Sequence, residues 1–389
     1  MPYFDNAATS FPKPESVYRA MDDFMRTRAG NPGRGTHRLS LAAGEVVDET
    51  RQLLAQLFHA PDPNRVIFAA NTTDALNLAL HGLLKPGDHV VTTTMEHNAV
   101  VRPLRTLSLQ GVRVTRVGCA PDGSLRAEQV LDAMLPDTRL VVMIHASNVS
   151  GTVLPVAEVG AAVRERGALL LVDAAQTAGV LPIDVQAMQV DLLAFPGHKG
   201  LFGPPGTGGL VVGERARLRP VRQGGTGTLS EQEDQPSGLP EGLETGTLNS
   251  VGIAGLGAGV RFILEQGTER ICAHELAIVQ RLLAGLRSLP GIQLYGPPDS
   301  NGRVGVVSVR LEHWEPMDLG VALDQEFDIA VRTGLHCAPL AHRTLGTLPT
   351  GTVRLAPGYF TTVNDVDRVI DALRYLSAQW ERGVPRIEG

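Results

Sequence analysis

Cysteine is scarce in this chain. Only three occur in 389 residues, Cys119, Cys272 and Cys337, and no pair has Cys-x-x-Cys spacing. That leaves no disulfide framework, and the simplest setting for such a chain is a reducing cytoplasm. Aromatic residues make up 4% and the net charge is −6, so neither a base-stacking platform nor a basic nucleic-acid surface is on offer. No apolar run has the length of a membrane helix. The opening Met1-Pro2-Tyr3-Phe4-Asp5-Asn6 has neither a basic start nor an apolar core, so no secretory leader is expected there. No Gly-x-Gly-x-x-Gly or Gly-Lys-Ser/Thr loop follows a strand, which disfavours a nucleotide-binding doubly wound protein.

What is present is ordinary globular composition, 43% hydrophobic and 20% charged. The length predicts two domains, or one large α/β domain with a smaller partner. Strands are expected at Val66–Ala69, His89–Thr93, Arg113–Val117, Leu140–His145, Leu169–Val172, Leu192–Phe195 and Gly209–Val212. Helical patterns between them include Leu41–Phe58, Thr73–Leu83, Ala127–Met134 and Val156–Arg166. This alternation indicates crossover units and a mostly parallel sheet, and the near-continuous Val/Leu/Ile strands indicate cover on both faces. Residues 222–250 are rich in Gly, Pro and acid and read as a long loop. A helix-rich stretch, Val251–Leu289, and a smaller α/β unit from about Gly291 complete the chain.

In a parallel sheet, functional groups gather at the carboxyl ends of the strands. Five polar clusters fall there: Asn71-Thr72-Thr73, Glu96-His97-Asn98, Ser147-Asn148, Asp173 and His198-Lys199. An amine at Lys199 and a carboxylate at Asp173, ending two neighbouring buried strands, suit pyridoxal phosphate. The lysine would bond the cofactor and the acid would keep the pyridine nitrogen protonated. Such pairing would hold the Asp173 carboxyl below its usual range. Hydroxyls and free N–H groups at a helix start bind phosphate, although Asn71-Thr72-Thr73 is also an ordinary helix cap. His97 could stack on a ring or move protons, or be a structural loop histidine. Asp173 could equally cap a helix, and Lys199 could be a surface lysine in its loop.

Cys337 lies in Arg332-Thr333-Gly334-Leu335-His336-Cys337-Ala338-Pro339. Cationic neighbours at His336 and Arg332 would favour its thiolate, while a lone cysteine is more often a small buried hydrophobe. His336, Cys337 and His342 match no common zinc spacing. Arg354 could hold a substrate carboxylate with a bidentate fork, or form a surface ion pair. Cys119 and Cys272 read as packing residues.

These segments together resemble the class-V aminotransferase-like family of fold-type I pyridoxal-phosphate enzymes, and within it the cysteine desulfurases and selenocysteine lyases of group II form. The resemblance runs from Phe4-Asp5-Asn6-Ala7-Ala8 and Arg34-Gly35-Thr36-His37 through Asn71-Thr72-Thr73-Asp74, Met95-Glu96-His97-Asn98 and Ser147-Asn148-Val149-Ser150-Gly151-Thr152. It continues with Asp173-Ala174-Ala175-Gln176, Gly197-His198-Lys199 and Glu244-Thr245-Gly246-Thr247, then the Cys337 segment and Arg354. It implies a large cofactor domain over residues 15–255, with a mostly parallel seven-stranded sheet. The smaller domain would comprise 1–14 and 256–389 and carry the cysteine loop.

By position, the resemblance implies that Lys199 holds the cofactor and moves protons, that Asp173 pairs with the ring nitrogen and that His97 stacks on the ring. Gln176 would bond the phenolic oxygen. Thr72, Thr73 and His198 would take the phosphate, with Thr247 arriving from the other subunit of a homodimer. Asn148 and Arg354 would hold the substrate carboxylate, with His37 and Arg332 nearby. Cys337 would attack the sulfur of L-cysteine, leaving alanine and a persulfide for an acceptor protein, in the service of iron–sulfur assembly. Selenocysteine lyase, or an aminotransferase or epimerase in which Cys337 is incidental, are the alternatives. Pro196 stands where the family usually has Ser, and Leu335 replaces the first His of a common His-His-Cys.

Overall fold

A computed structural model of the chain describes residues 1–33 and 35–381; Arg34 of the motif quoted above and the last eight residues of the expected small domain lie outside them. In chain order the elements are α1 (Glu15–Thr27), α2 (Arg38–Phe58), β1 (Val66–Ala69), α3 (Thr72–Leu83), β2 (His89–Thr93), α4 (Asn98–Leu109), β3 (Arg113–Val117), α5 (Ala127–Asp132), β4 (Thr138–Ile144), α6 (Val156–Glu165), β5 (Leu169–Asp173), β6 (Leu192–Pro196) and β7 (Gly208–Val212). Then follow α7 (Ser250–Gln266), α8 (Thr268–Arg287), β8 (Ile292–Tyr295), β9 (Val307–Leu311), α9 (Pro316–Phe327), β10 (Arg332–Gly334), α10 (Pro339–Thr344), β11 (Thr352–Leu355) and α11 (Val363–Glu381).

Seven strands form one sheet in the order β1-β7-β6-β5-β4-β2-β3, parallel except that β7 runs against both β1 and β6. Side chains alternate between two cores, as the two-residue period of a strand requires. Val141, Met143, Leu170, Val172, Leu193 and Phe195 enter one core; Leu140, Val142, Leu169, Leu171, Leu192 and Ala194 enter the other. With apolar cover on both faces, the strands need no polar alternation, which explains their uniform hydrophobicity. The edge strand β3 exposes Arg113 and Arg116, charges that discourage pairing with another chain.

Two helices were not anticipated. Helix α4 carries Pro103 in its interior, which masks the helical pattern. Helix α1 buries only Val17 and Phe24, too thin an apolar stripe to stand out. Between Val212 and Ser250 there is neither helix nor strand, and the loop expected over residues 222–250 lies within this span.

Helix α7 packs tightly because its glycines have no side chains. A Cβ on Gly257 would collide with Thr50 of α2, and one on Gly259 with the Leu201 carbonyl just beyond Lys199. Residues after α8 form a second, antiparallel sheet in the order β10-β11-β9-β8. The N-terminal segment joins it: Tyr3 bridges to Ala330 and Asp5 to Ala356, with Phe4 fully buried in that core. Residues near position 5 are thereby brought beside residues near position 354.

Candidate active site

Because β1, β2, β4, β5 and β6 all run the same way, their carboxyl ends share one edge of the sheet. A cavity of about 350 Å³ opens there. Its walls include Asn71, Thr72, Thr73, His97, Asn148, Asp173, Gln176, His198, Lys199, Arg332, His336, Cys337 and Arg354. Eleven of the expected site residues therefore converge. His37 and Thr247 do not. His37 is an exposed cap of α2, accepting a bond from the Ser40 amide, and Thr247 lines a separate recess with Asp74, Arg222 and Glu244. Neither lines the cavity that holds the other eleven.

Lys199 and Asp173 face this space from adjacent strand ends. Burial lowers the lysine to about 8, helped by Arg354 and opposed by Asp173. Burial also raises Asp173 to about 6, against the pull of the Ala175 amide and Lys199. The depression expected on pairing with a ring nitrogen concerns the loaded site. With only protein around it, desolvation wins; a cation held in the cavity would reverse the balance. A protonated pyridine nitrogen is such a cation. His97 caps α4 by accepting from Ala99 N at 3.0 Å through Nδ1, so the neutral ring carries its proton on Nε2. Burial and the charges of Lys199 and Arg332 lower it to about 4, so it offers an uncharged face.

The phosphate cradle is equally recognisable. Asn71 Oδ1 caps α3 by accepting from Asp74 N at 2.9 Å. Among the described hydrogen bonds, none occupies the amides or hydroxyls of Thr72 and Thr73, and buried His198 Nδ1 has no partner. Asn148 Oδ1 and Arg354 Nε are also buried and unpartnered. Gln176 spends one amide hydrogen on the Ala7 carbonyl at 3.1 Å and keeps another for a ligand. These open valences, the lysine and the buried acid fit pyridoxal phosphate.

The cysteine loop stands over the same cavity. His336 and Cys337 both adopt left-handed backbone, with φ of 48° and 57°. For non-glycine residues that costs on the order of 1–3 kcal/mol each. Tertiary bonds hold it in place: Asn148 Nδ2 donates to the His336 carbonyl and Asn98 N to the Cys337 carbonyl, both at 2.8 Å. The thiol is exposed. His336 is not the cationic neighbour that its sequence position promised. It is buried, and desolvation together with Arg354 drives its pKa far down, so the ring is neutral. Burial raises Cys119 and Cys272, in keeping with packing roles.

Three features escaped sequence reasoning. Asp5 reaches Arg354, 349 residues away, through the N-terminal bridge. Glu96, fully buried beside Asp173, is pushed up to about 8 by desolvation and accepts from Thr93 Oγ1 and Ile144 N. His342 bonds His336. The Phe4-Asp5-Asn6 motif hinted at the first; Glu96 stood in a strand-end cluster and His342 in a rejected zinc reading, but neither was given its role there.

The class-V aminotransferase family model matches residues 2–369. A probable cysteine desulfurase of Methanothermobacter thermautotrophicus is 36% identical, covering 96% of this chain and 94% of that protein. The apo structure of a cysteine desulfurase from Thermococcus onnurineus superposes with a TM-score of 0.90 at 34% identity, covering 97% of this chain and 94% of that one. A cysteine desulfurase from Escherichia coli, solved as an S-sulfonic acid, gives 0.87 at 26% identity, with 97% and 94% covered. The chain belongs to the class-V aminotransferase family and has the fold of the type I pyridoxal-phosphate enzymes.

Proposed function

We propose that this chain is a pyridoxal-phosphate-dependent cysteine desulfurase that converts L-cysteine to L-alanine and takes the sulfur onto Cys337. The observation that carries the reading is an exposed thiol, on a loop held by tertiary bonds, lining the same cavity as Lys199 and Asp173. Bound pyridoxal phosphate supplies an electron sink for the substrate's carbon skeleton.

The protein's residues do the rest. Lys199, already lowered to about 8, can shed its proton and serve as base and acid beside the substrate's α-carbon. Asp173 would anchor the ring nitrogen and His97 would cover the ring without adding charge; Thr72, Thr73 and His198 would hold the phosphate. Arg354, Arg332 and Asn148 orient the substrate carboxylate. Cys337 Sγ bonds the substrate sulfur as the carbon–sulfur bond breaks. The electron pair stays with carbon, which takes a proton to become alanine, and one hydrogen remains on the persulfide.

Thr247 lines a recess apart from the cavity, and the family resemblance brings that threonine to the phosphate from a second subunit, so we assign the working form to a homodimer. A thiol-bearing acceptor protein would collect the sulfur for iron–sulfur assembly. Among the described residues no helix is long and apolar enough to cross a membrane, and a cytoplasmic location agrees with three unpaired cysteines.

The test is a paired assay of alanine and sulfide from L-cysteine, with Cys337→Ala alongside. The variant should keep the cofactor's absorbance and form no persulfide. Full turnover of cysteine by Cys337→Ala would refute the nucleophile. Amino transfer to a keto acid without sulfide would select an aminotransferase instead, and activity surviving on selenocysteine alone would select a lyase.

A further inference from the structure

Behind Cys337 the hydrogen bonds can be assigned proton by proton. His336 Nε2 lies 3.3 Å from the Arg332 carbonyl, His336 Nδ1 lies 3.2 Å from His342 Nε2, and His342 Nδ1 lies 2.7 Å from Thr347 Oγ1. A carbonyl oxygen only accepts, so His336 Nε2 carries a proton. Both rings are buried, with Arg354 and Arg332 near His336 and Arg310 near His342, so neither takes a second proton. His336 Nδ1 must then accept from His342 Nε2–H. His342 Nδ1 must accept in turn, and the Thr347 hydroxyl donates to it. The alternative for that hydroxyl, donation to the His342 carbonyl, is longer at 3.2 Å.

We infer that Thr347, His342 and His336 form a one-way hydrogen-bond chain, ending on the Arg332 carbonyl, that clamps the cysteine loop and makes His342 and Thr347 positioning residues for Cys337. This rests on the reading of Cys337 as the sulfur nucleophile. The far end of the chain is fixed to the small sheet: Arg310 of β9 donates to the Thr347 carbonyl at 2.5 Å and to the Gly351 carbonyl at 2.8 Å. The near end ties the His336 side chain to the Arg332 carbonyl, and so spans the loop up to the residue before Cys337, where His336 and Cys337 are both left-handed. One consequence is chemical. His336 has its Nδ1 lone pair engaged and its Nε2 already protonated, so it cannot take the thiol proton of Cys337.

The experiment uses the holoenzyme and four variants: Thr347→Val, Thr347→Ser, His342→Leu and His342→Gln. Valine removes the donor and serine restores it; leucine removes the bridge, whereas glutamine can still donate to His336. Single-turnover persulfide formation on Cys337 from L-cysteine should slow at least tenfold in the valine and leucine variants. KM and the cofactor absorbance should stay within twofold. Serine and glutamine should recover the rate to within threefold of wild type. Should the leucine variant fail to fold, the valine variant, which changes one hydroxyl, decides. Wild-type rates in both valine and leucine variants overturn the chain. Independently of turnover, 15N spectra of histidine-labelled protein should show His336 protonated on Nε2, and an Nδ1–H form overturns the assignment. If wild-type protein forms no persulfide while the spectra match, the functional reading fails and the hydrogen-bond chain stands.

Discussion

Arg354 NH2 lies 2.6 Å from Asp5 Oδ1, and the arginine is 1% exposed. Its NH1 donates to the Asn148 carbonyl at 3.1 Å, leaving Nε unpartnered. The fork expected to seize a substrate carboxylate therefore already holds one carboxylate of the chain itself. Asp5 both neutralises the buried guanidinium and fixes its plane.

Asp5→Asn should consequently damage substrate binding before chemistry. KM for L-cysteine should rise several-fold with kcat little changed. Stability should fall by about 2 kcal/mol, less than for a wholly enclosed pair because Asp5 remains partly hydrated. Steady-state kinetics and a denaturant titration read the two effects. An unchanged KM would mean that Asp5 does not orient Arg354.

Glu275 gives a test of burial. It lies in a small recess whose walls include Gln176 and Lys199, and burial alone raises it to about 8. A carboxyl raised in the folded state binds its proton more tightly than in the unfolded chain, so stability declines as pH climbs from the unfolded value toward 8. Glu275→Gln removes that decline. Between pH 5 and 8 the variant should gain, relative to wild type, on the order of 3 kcal/mol. Urea melts across that range check it; a constant difference would show that the carboxyl finds a partner.

His97 should act through its ring rather than its charge. Held near 4 by burial and neighbouring cations, it stays neutral above pH 5. His97→Phe should keep most of the cofactor affinity, while His97→Ala should lose about tenfold, the worth of one aromatic contact. Absorbance titration with pyridoxal phosphate distinguishes them. Equal losses in both variants would assign His97 a polar role.

The proposed dimer is checked by mass. Sedimentation equilibrium should return about twice the 41.4 kDa of one chain, and Thr247→Ala should weaken cofactor binding. A monomer with full activity would remove any role for Thr247 and His37 at a neighbouring site.

The sheet was readable because burial on both faces leaves uninterrupted apolar runs; all seven strands fall within two residues of their expected limits. Lys199, Asp173 and His97 were readable because strand ends are the one place where such a sheet tolerates polar groups. What depends on distant parts of the chain was not. The Asp5–Arg354 pair spans nearly the whole sequence. The Asp173 carboxyl rises because desolvation is a property of its surroundings, which spacing cannot convey. His336 looked like a cation beside a thiol, yet enclosure makes it neutral and ties it to His342.

The reversed direction of β7 has a mechanical consequence. Strands β6 and β7 are neighbours joined by a short return, whose ends are stitched by the Gly197 amide on the Thr207 carbonyl at 2.8 Å. Lys199 thus rides on a closed bracket rather than on a free crossover. With its backbone bracketed in this way, the methylene stem of Lys199 would supply the reach that the proposed proton transfers at one carbon demand.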